Sequence, residues 1–195
     1  PSSAASDVYK RQVYARNIDS NMSLLNFLRH NHKLTGTKEG CSEGDCGACS
    51  VLIFEEKGTL APINSCILKV GQILDKNIVT IEGASKLTSA KPLIEELNSK
   101  AASQCGFCTP GFVMAALALK EKHKNPSERI IHDSLSGNLC RCTGYKPIVN
   151  GIQSLKEKIK FPIPKNGNGS SLKSAVFGKT TYIYPKSKKE LLEYI

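Results

Sequence analysis

Eight cysteines in 195 residues fall into two groups whose spacing suits metal ligation. Cys41, Cys46 and Cys49 are spaced C-x4-C-x2-C, and Cys66 follows after 16 residues. That is the spacing of plant-type [2Fe–2S] sites, whose chemistry is the transfer of one electron at a time. Gly40, Gly44 and Gly47 lie between these cysteines. Glycine lets a backbone wrap closely around an anionic group and turn its N–H donors inward. The second group is Cys105-x2-Cys108 and, 31 residues later, Cys140-x-Cys142. Each pair stands just before a helix signal, Pro110 and Pro147. Helix starts offer unpaired N–H groups and the positive end of the macrodipole, which favour thiolates and a negative cluster. The second spacing is less diagnostic, and zinc would tolerate the same ligands. Disulfides fit Cys140-x-Cys142 and the glycine loop badly. A Rieske centre would need two histidine ligands, and no Cys-x-His occurs. His30, His32, His123 and His132 read as helix-surface residues.

The elements that must hold these cysteines change character along the chain. Val13–Ile18 reads as a strand, and Ser23 caps a helix that carries Leu24, Leu25, Phe27 and Leu28. Val51–Phe54, Ile63–Leu68 and Ile78–Ile81 are β-branched runs separated by turn residues. Beyond Lys91 the pattern is helical. Pro92 opens one helix, and Thr109 caps another that Pro110 opens. Asn125, Pro126 and Glu128 start a third, and Pro147 starts a fourth through Ile148, Val149, Ile152, Leu155 and Ile159. The fold class is α+β: a small strand-rich domain over residues 13–86, then an all-α four-helix domain over 87–160. Pro1–Gln12 has no pattern that prepares the strand after it and is set aside as a non-native leader. Residues 161–180 are a linker by composition, and 181–195 read as the truncated start of a further domain.

The formal charge of +10 raises the question of nucleic acid. Residues 1–150 hold 18 basic and 14 acidic residues, whereas 151–195 hold 9 and 3. Each oxidised four-thiolate cluster would add roughly −2 more. No helix-turn-helix or zinc-finger spacing accompanies the lysines, so they read as solvated surface and not as a nucleic-acid interface. No apolar run reaches the length of about 20 residues that a membrane helix needs, and no secretory signal opens the chain. A reducing, cytoplasmic setting is expected, where such cysteines ligate metals rather than pair. No nucleophile elbow, phosphate loop or paired carboxylate stands out, so the chain itself is expected to be a conduit and not a catalyst.

Three stretches carry a resemblance. Gly36–Cys49 (GTKEGCSEGDCGAC) resembles the first cluster loop of the molybdenum hydroxylases. Ser103–Gly111 (SQCGFCTPG) and Gly137–Tyr145 (GNLCRCTGY) resemble that family's second cluster motifs. The resemblance spans residues 13–160. It implies a β-grasp [2Fe–2S] ferredoxin domain followed by a four-helix [2Fe–2S]-binding domain. Cys41, Cys46, Cys49 and Cys66 would hold one cluster; Cys105, Cys108, Cys140 and Cys142 would hold the other. Gln104 and the Cys142 sulfur would lie against a molybdopterin on a partner subunit or domain, and an FAD domain would follow this segment. Glu39, Asp45 and the Tyr182–Pro185 stretch look most like the small subunit of bacterial xanthine dehydrogenases. A carbon monoxide dehydrogenase or aldehyde oxidase type of iron–sulfur subunit, and a zinc-stabilised interaction module, are the competing readings.

Overall fold

The computed structural model describes residues 5–8, 12–14, 18–55, 58–73, 76–162, 174–177, 180–183 and 187–192. Two short strands, β1 (Ala5–Val8) and β2 (Gln12–Tyr14), pair antiparallel. After them α1 (Leu24–Asn26) starts at Ser23, whose hydroxyl accepts the Asn26 N–H at 3.2 Å, and widens into a π-type turn over Phe27–Asn31. The strands β3 (Ser50–Phe54), β4 (Leu60–Asn64) and β5 (Asn77–Val79) complete a sheet of order β2-β1-β5-β3-β4. β1 runs parallel to β5, and β3 runs antiparallel to both β4 and β5. This is the β-grasp arrangement, with α1 laid across one face.

Three expectations change here. Ala5–Val8 lies within the stretch set aside as a leader, yet it forms a strand of this sheet, and the strand expected at Val13–Ile18 is Gln12–Tyr14. Strand pairing uses backbone N–H and C=O groups that every residue but proline carries, so a stretch without side-chain pattern can still fill a slot. The run Ile63–Leu68 also stops being a strand at Asn64. Its carbonyl accepts the N–H groups of Ile67 and Leu68, which curls the chain into a turn that carries Cys66.

Helices follow: α2 (Ile81–Ala84), α3 (Lys91–Ser99), α4 (Thr109–Lys122), α5 (Glu128–Leu135) and α6 (Lys146–Ser154). The last four are the expected helical domain. Their starts differ in detail. Cys108, not Thr109, is the N-cap of α4. Ser127 caps α5 in place of Asn125, with its hydroxyl accepting the Ile130 N–H at 3.4 Å. Asn-Pro-Ser offers two capping side chains, and Ser127, extended at ψ 159°, occupies the position that faces the free N–H groups. α6 stops at Ser154, because Leu155 turns extended at ψ 111°.

Side-chain alternation in β3 makes two cores. Val51 points to α1, joining Leu24, Phe27, Leu28, Val70, Ile73 and Ile78. Leu52 and Phe54 point the other way and merge with the core of the helices. α4 lies between sheet and helices and is buried on every side from Gly111 to Lys120, which is why its sequence is apolar all round. One core therefore runs across the expected domain division at residue 86. Farther on, β6 (Ser174–Phe177) lies inside the expected linker over 161–180 and pairs as a hairpin with β7 (Thr180–Ile183), which opens the segment expected to start a further domain, and α7 (Lys188–Leu192) follows. No described helix is long and apolar enough to cross a membrane.

Candidate metal centres

The first centre is built on a loop clasped from several sides. Arg29, from the turn after α1, donates to the carbonyls of Thr35 (3.0 Å) and Thr37 (2.8 Å). Glu82, from α2, accepts the Gly36 N–H at 2.7 Å. Ser65 donates its hydroxyl to the Cys49 carbonyl at 2.7 Å, and Asn64 reaches the carbonyl of Gly44. These contacts bring Cys66, on the turn after β4, beside Cys49. Cys41 and Cys46 make the second pair. The Asp45 and Cys46 N–H groups donate to the Cys41 sulfur at 3.3 and 3.4 Å, and the Cys41 N–H donates to the Cys46 sulfur at 3.4 Å. A Cβ on Gly40 would stand 2.7 Å from the Cys46 sulfur, so the close approach there requires glycine.

The second centre joins the start of α4 to the approach to α6. Cys108 stands beside Cys140, and Cys105 beside Cys142. Tyr145, in the left-handed region at φ 67°, turns its ring back so that its hydroxyl accepts the Cys140 N–H at 3.0 Å. The same ring stacks edge-on against Phe112 of α4 at 6.1 Å. Thr143 supplies its N–H at 3.5 Å and lies within hydrogen-bond reach of the Cys140 sulfur through its hydroxyl at 3.1 Å.

Electrostatics divide the thiols. Backbone N–H donors of Glu43 and Cys46 bring Cys41 down to about 7. Burial raises Cys140, but Thr143's hydroxyl and N–H and the Cys142 N–H more than offset it, and the thiol stands at about 7. Burial, then the neighbouring Cys49, pushes Cys66 up to about 12, and burial with Cys140 does the same to Cys108. Cys142 is raised, first by its hydrogen bond with Cys105. In Cys108 and Cys140 a donor-rich, low-pKa thiol stands beside one that resists ionisation alone, a combination that a cation completes.

The eight cysteines lie in two groups of interacting thiols: Cys66 feels Cys49 and Cys41, Cys41 feels Cys46, Cys108 feels Cys140 and Cys105, and Cys142 feels Cys105 and Cys140. Four thiols in each group, with backbone N–H donors aimed at the Cys41 and Cys140 sulfurs, are the donor set that a [2Fe–2S] cluster takes, so these residues fit the group. The centres differ in cover. Cys49 is 2% exposed, whereas Cys105 and Cys142 are at the surface with Gln104, and Phe107 there is 48% exposed. The positioning residues Arg29, Ser65, Glu82 and Tyr145 were not legible as such, although Tyr145 lies inside a quoted motif.

Comparison with known proteins agrees with this geometry. A family of 2Fe-2S iron-sulfur cluster binding domains matches residues 10–71, and a family of [2Fe-2S] binding domains matches residues 80–153. Xanthine dehydrogenase of Emericella nidulans is 40% identical over 164 residues, covering 82% of this chain and 12% of that protein. Aldehyde oxidase 1 of Rattus norvegicus is 40% identical over 150 residues, covering 74% of this chain and 11% of that protein. The chain thus spans about a tenth of the length of these curated relatives. In the crystal structure of quinoline 2-oxidoreductase from Pseudomonas putida 86, one chain superposes with a TM-score of 0.68 at 36% identity, covering 78% of this chain and 89% of that one. The chain belongs to the molybdenum hydroxylase family, of which it carries the two [2Fe–2S] domains in tandem.

Proposed function

We propose that the chain is the electron-transfer segment of a xanthine dehydrogenase-like molybdenum hydroxylase. The observation that carries this reading is the gathering of four interacting thiols at each of two centres. Cys41, Cys46, Cys49 and Cys66 hold one cluster, and Cys105, Cys108, Cys140 and Cys142 the other. Each cluster, when bound, accepts and releases one electron. The protein's part is to fix both in place, with Cys49 buried in the first and Cys105 and Cys142 at the surface in the second. Surface placement of Gln104, Cys105 and Cys142 supports a partner at that face, and the resemblance makes it the molybdopterin subunit or domain. Gln104 can offer that group both a donor and an acceptor through its amide. The electron route then runs from molybdopterin to the helical centre, to the ferredoxin centre, and on to FAD and NAD. This segment makes no bond itself and needs neither nucleic acid nor membrane. Eight free thiols suit a reducing, cytoplasmic setting.

The substrate is proposed as a purine on the resemblance to xanthine dehydrogenase, with an aldehyde as the second reading because aldehyde oxidases match equally well. Protein assembled with iron and sulfide should hold about four iron and four sulfide per chain and absorb visible light. Colourless protein holding zinc would end this reading in favour of a structural metal module.

A further inference from the structure

We propose that the two centres assemble cooperatively, and that Gly137–Leu139 is the coupling element, with Asn138 its positioning residue. The inference rests on the two-cluster reading above. Peptide units of both centres are bonded directly to each other. The Leu139 N–H donates to the Cys46 carbonyl at 3.0 Å, and the Asn138 side-chain amide donates to the Gly47 carbonyl at 3.1 Å. Cys46 belongs to the first centre, and Leu139 directly precedes Cys140 of the second. Asn138 is only 6% exposed and reaches 91 positions back along the chain.

The contact is close enough to exclude side chains. A Cβ on Gly47 would meet the Gly137 carbonyl at 2.3 Å. Apolar burial does not hold this segment, since the Leu139 side chain is 54% exposed. Hydrogen bonds do. The Gly47 carbonyl also accepts the N–H (3.1 Å) and hydroxyl (2.7 Å) of Ser50, so three donors fix one oxygen at the base of the first loop.

Ordering a glycine-rich loop costs conformational entropy, which a cluster anchored at four sulfurs must overcome. Once the first loop is ordered, the Cys46 and Gly47 carbonyls stand where Leu139 and Asn138 need them. The second loop is then partly ordered before its own cluster arrives. The reverse holds equally, because coupling between two binding sites is reciprocal. Shared bonds therefore raise the affinity of either centre when the other is filled.

The test uses the full chain, reduced and metal-free, titrated with ferrous iron and sulfide, with native mass spectrometry counting chains that hold zero, one and two clusters. Independent sites would give at least one half singly loaded chains at half-saturation; for sites of similar affinity a coupling of about 5-fold or more lowers that share below about one third. Asn138→Ala, and Asn138→Asp, which keeps the shape but loses the donor, should restore the statistical share while both sites still fill at excess. As a second measurement, Cys108→Ser should make the remaining cluster leave the first centre for a chelator several-fold faster than from wild type. A statistical distribution in wild type, or an undiminished coupling in both Asn138 variants, overturns the proposal and leaves the two-cluster reading standing. A chain that takes up no iron and sulfide overturns that reading, and the coupling falls with it.

Discussion

The ammonium of Lys120 is fully buried and donates to the main-chain carbonyl of Leu155 at 2.6 Å, across 35 positions of sequence. Its second acceptor is the Lys124 carbonyl, and the Lys120 carbonyl accepts the Ile159 N–H at 3.1 Å. One lysine thus ties the end of α4 to the segment that leaves α6. Lys120→Met keeps the length of the side chain but strands two carbonyls, and should lower unfolding free energy by about 2 kcal/mol. Burial, and secondarily the charge of Lys156, lowers the Lys120 pKa from its ordinary 10.5. A base with a depressed folded-state pKa contributes most above its unfolded value and loses that contribution as pH falls through the folded one. The margin of wild type over Lys120→Met should therefore widen as pH is raised toward 10.5 in denaturant titrations.

Gly111 and Gly137 should respond oppositely to alanine. A Cβ on Gly111 would stand 2.1 Å from the Gly47 carbonyl oxygen and 3.0 Å from its carbon, both backbone atoms that cannot swing away. At Gly137 a Cβ meets nothing within 4 Å. Alanine gains up to about 1 kcal/mol of helix propensity at position 111, yet overpacking against backbone costs about 1–3 kcal/mol. Gly111→Ala is expected to lower the melting temperature by several degrees, and Gly137→Ala to leave it nearly unchanged.

In metal-free, reduced chain the thiols should alkylate in a fixed order. Cys41 and Cys140, both at about 7, are half ionised at neutral pH, whereas Cys66 and Cys108, at about 12, are essentially all thiol. Only the thiolate reacts. Peptide mass spectrometry after brief iodoacetamide treatment at pH 7 should find Cys41 and Cys140 labelled first. Their rates should level off by about pH 8, while those of Cys66 and Cys108 keep rising through pH 10. Equal labelling of all four would mean that the donors around Cys41 and Cys140 are not formed without metal.

Cys46→Ser should separate the centres. At excess iron and sulfide, the reduced variant should lose one of two paramagnetic signals and keep the other, because no thiol is shared between the groups. Loss of both with the helices still folded would show that the ligand sets cross between domains.

How far the sequence could be read follows from the range of each interaction. The cysteine groups were legible because ligand spacing is local on each loop, and Pro92, Pro110 and Pro147 do lie at the first turns of α3, α4 and α6. Leu155 and Ile159 fit the helical period of α6, yet lie beyond it, because Lys120 captures the backbone groups of both from another helix. Lys120 itself counted among solvated lysines, and only the packing of α4 on two sides reveals its burial. Asn138 is two residues from a ligand, but its partner is 91 residues away. Local pattern shows what can bind, and distant contacts decide how it is held.

The parallel pairing of β1 with β5 places Asp7 opposite Asn77, 70 positions apart. Such non-local pairing forms slowly, because a long loop must close before any contact rewards it. During synthesis the consequence is an inverted order of completion. The loop from Cys41 to Cys49 leaves the ribosome first, but Ser65 and then Leu139 must follow before its backbone partners exist. At about 5–20 residues per second, the wait from Cys49 to Leu139 is on the order of 5–20 s. Throughout that interval the first centre lacks the bonds from Asn138 and Leu139, so the centre encoded first is among the last to have its backbone partners complete.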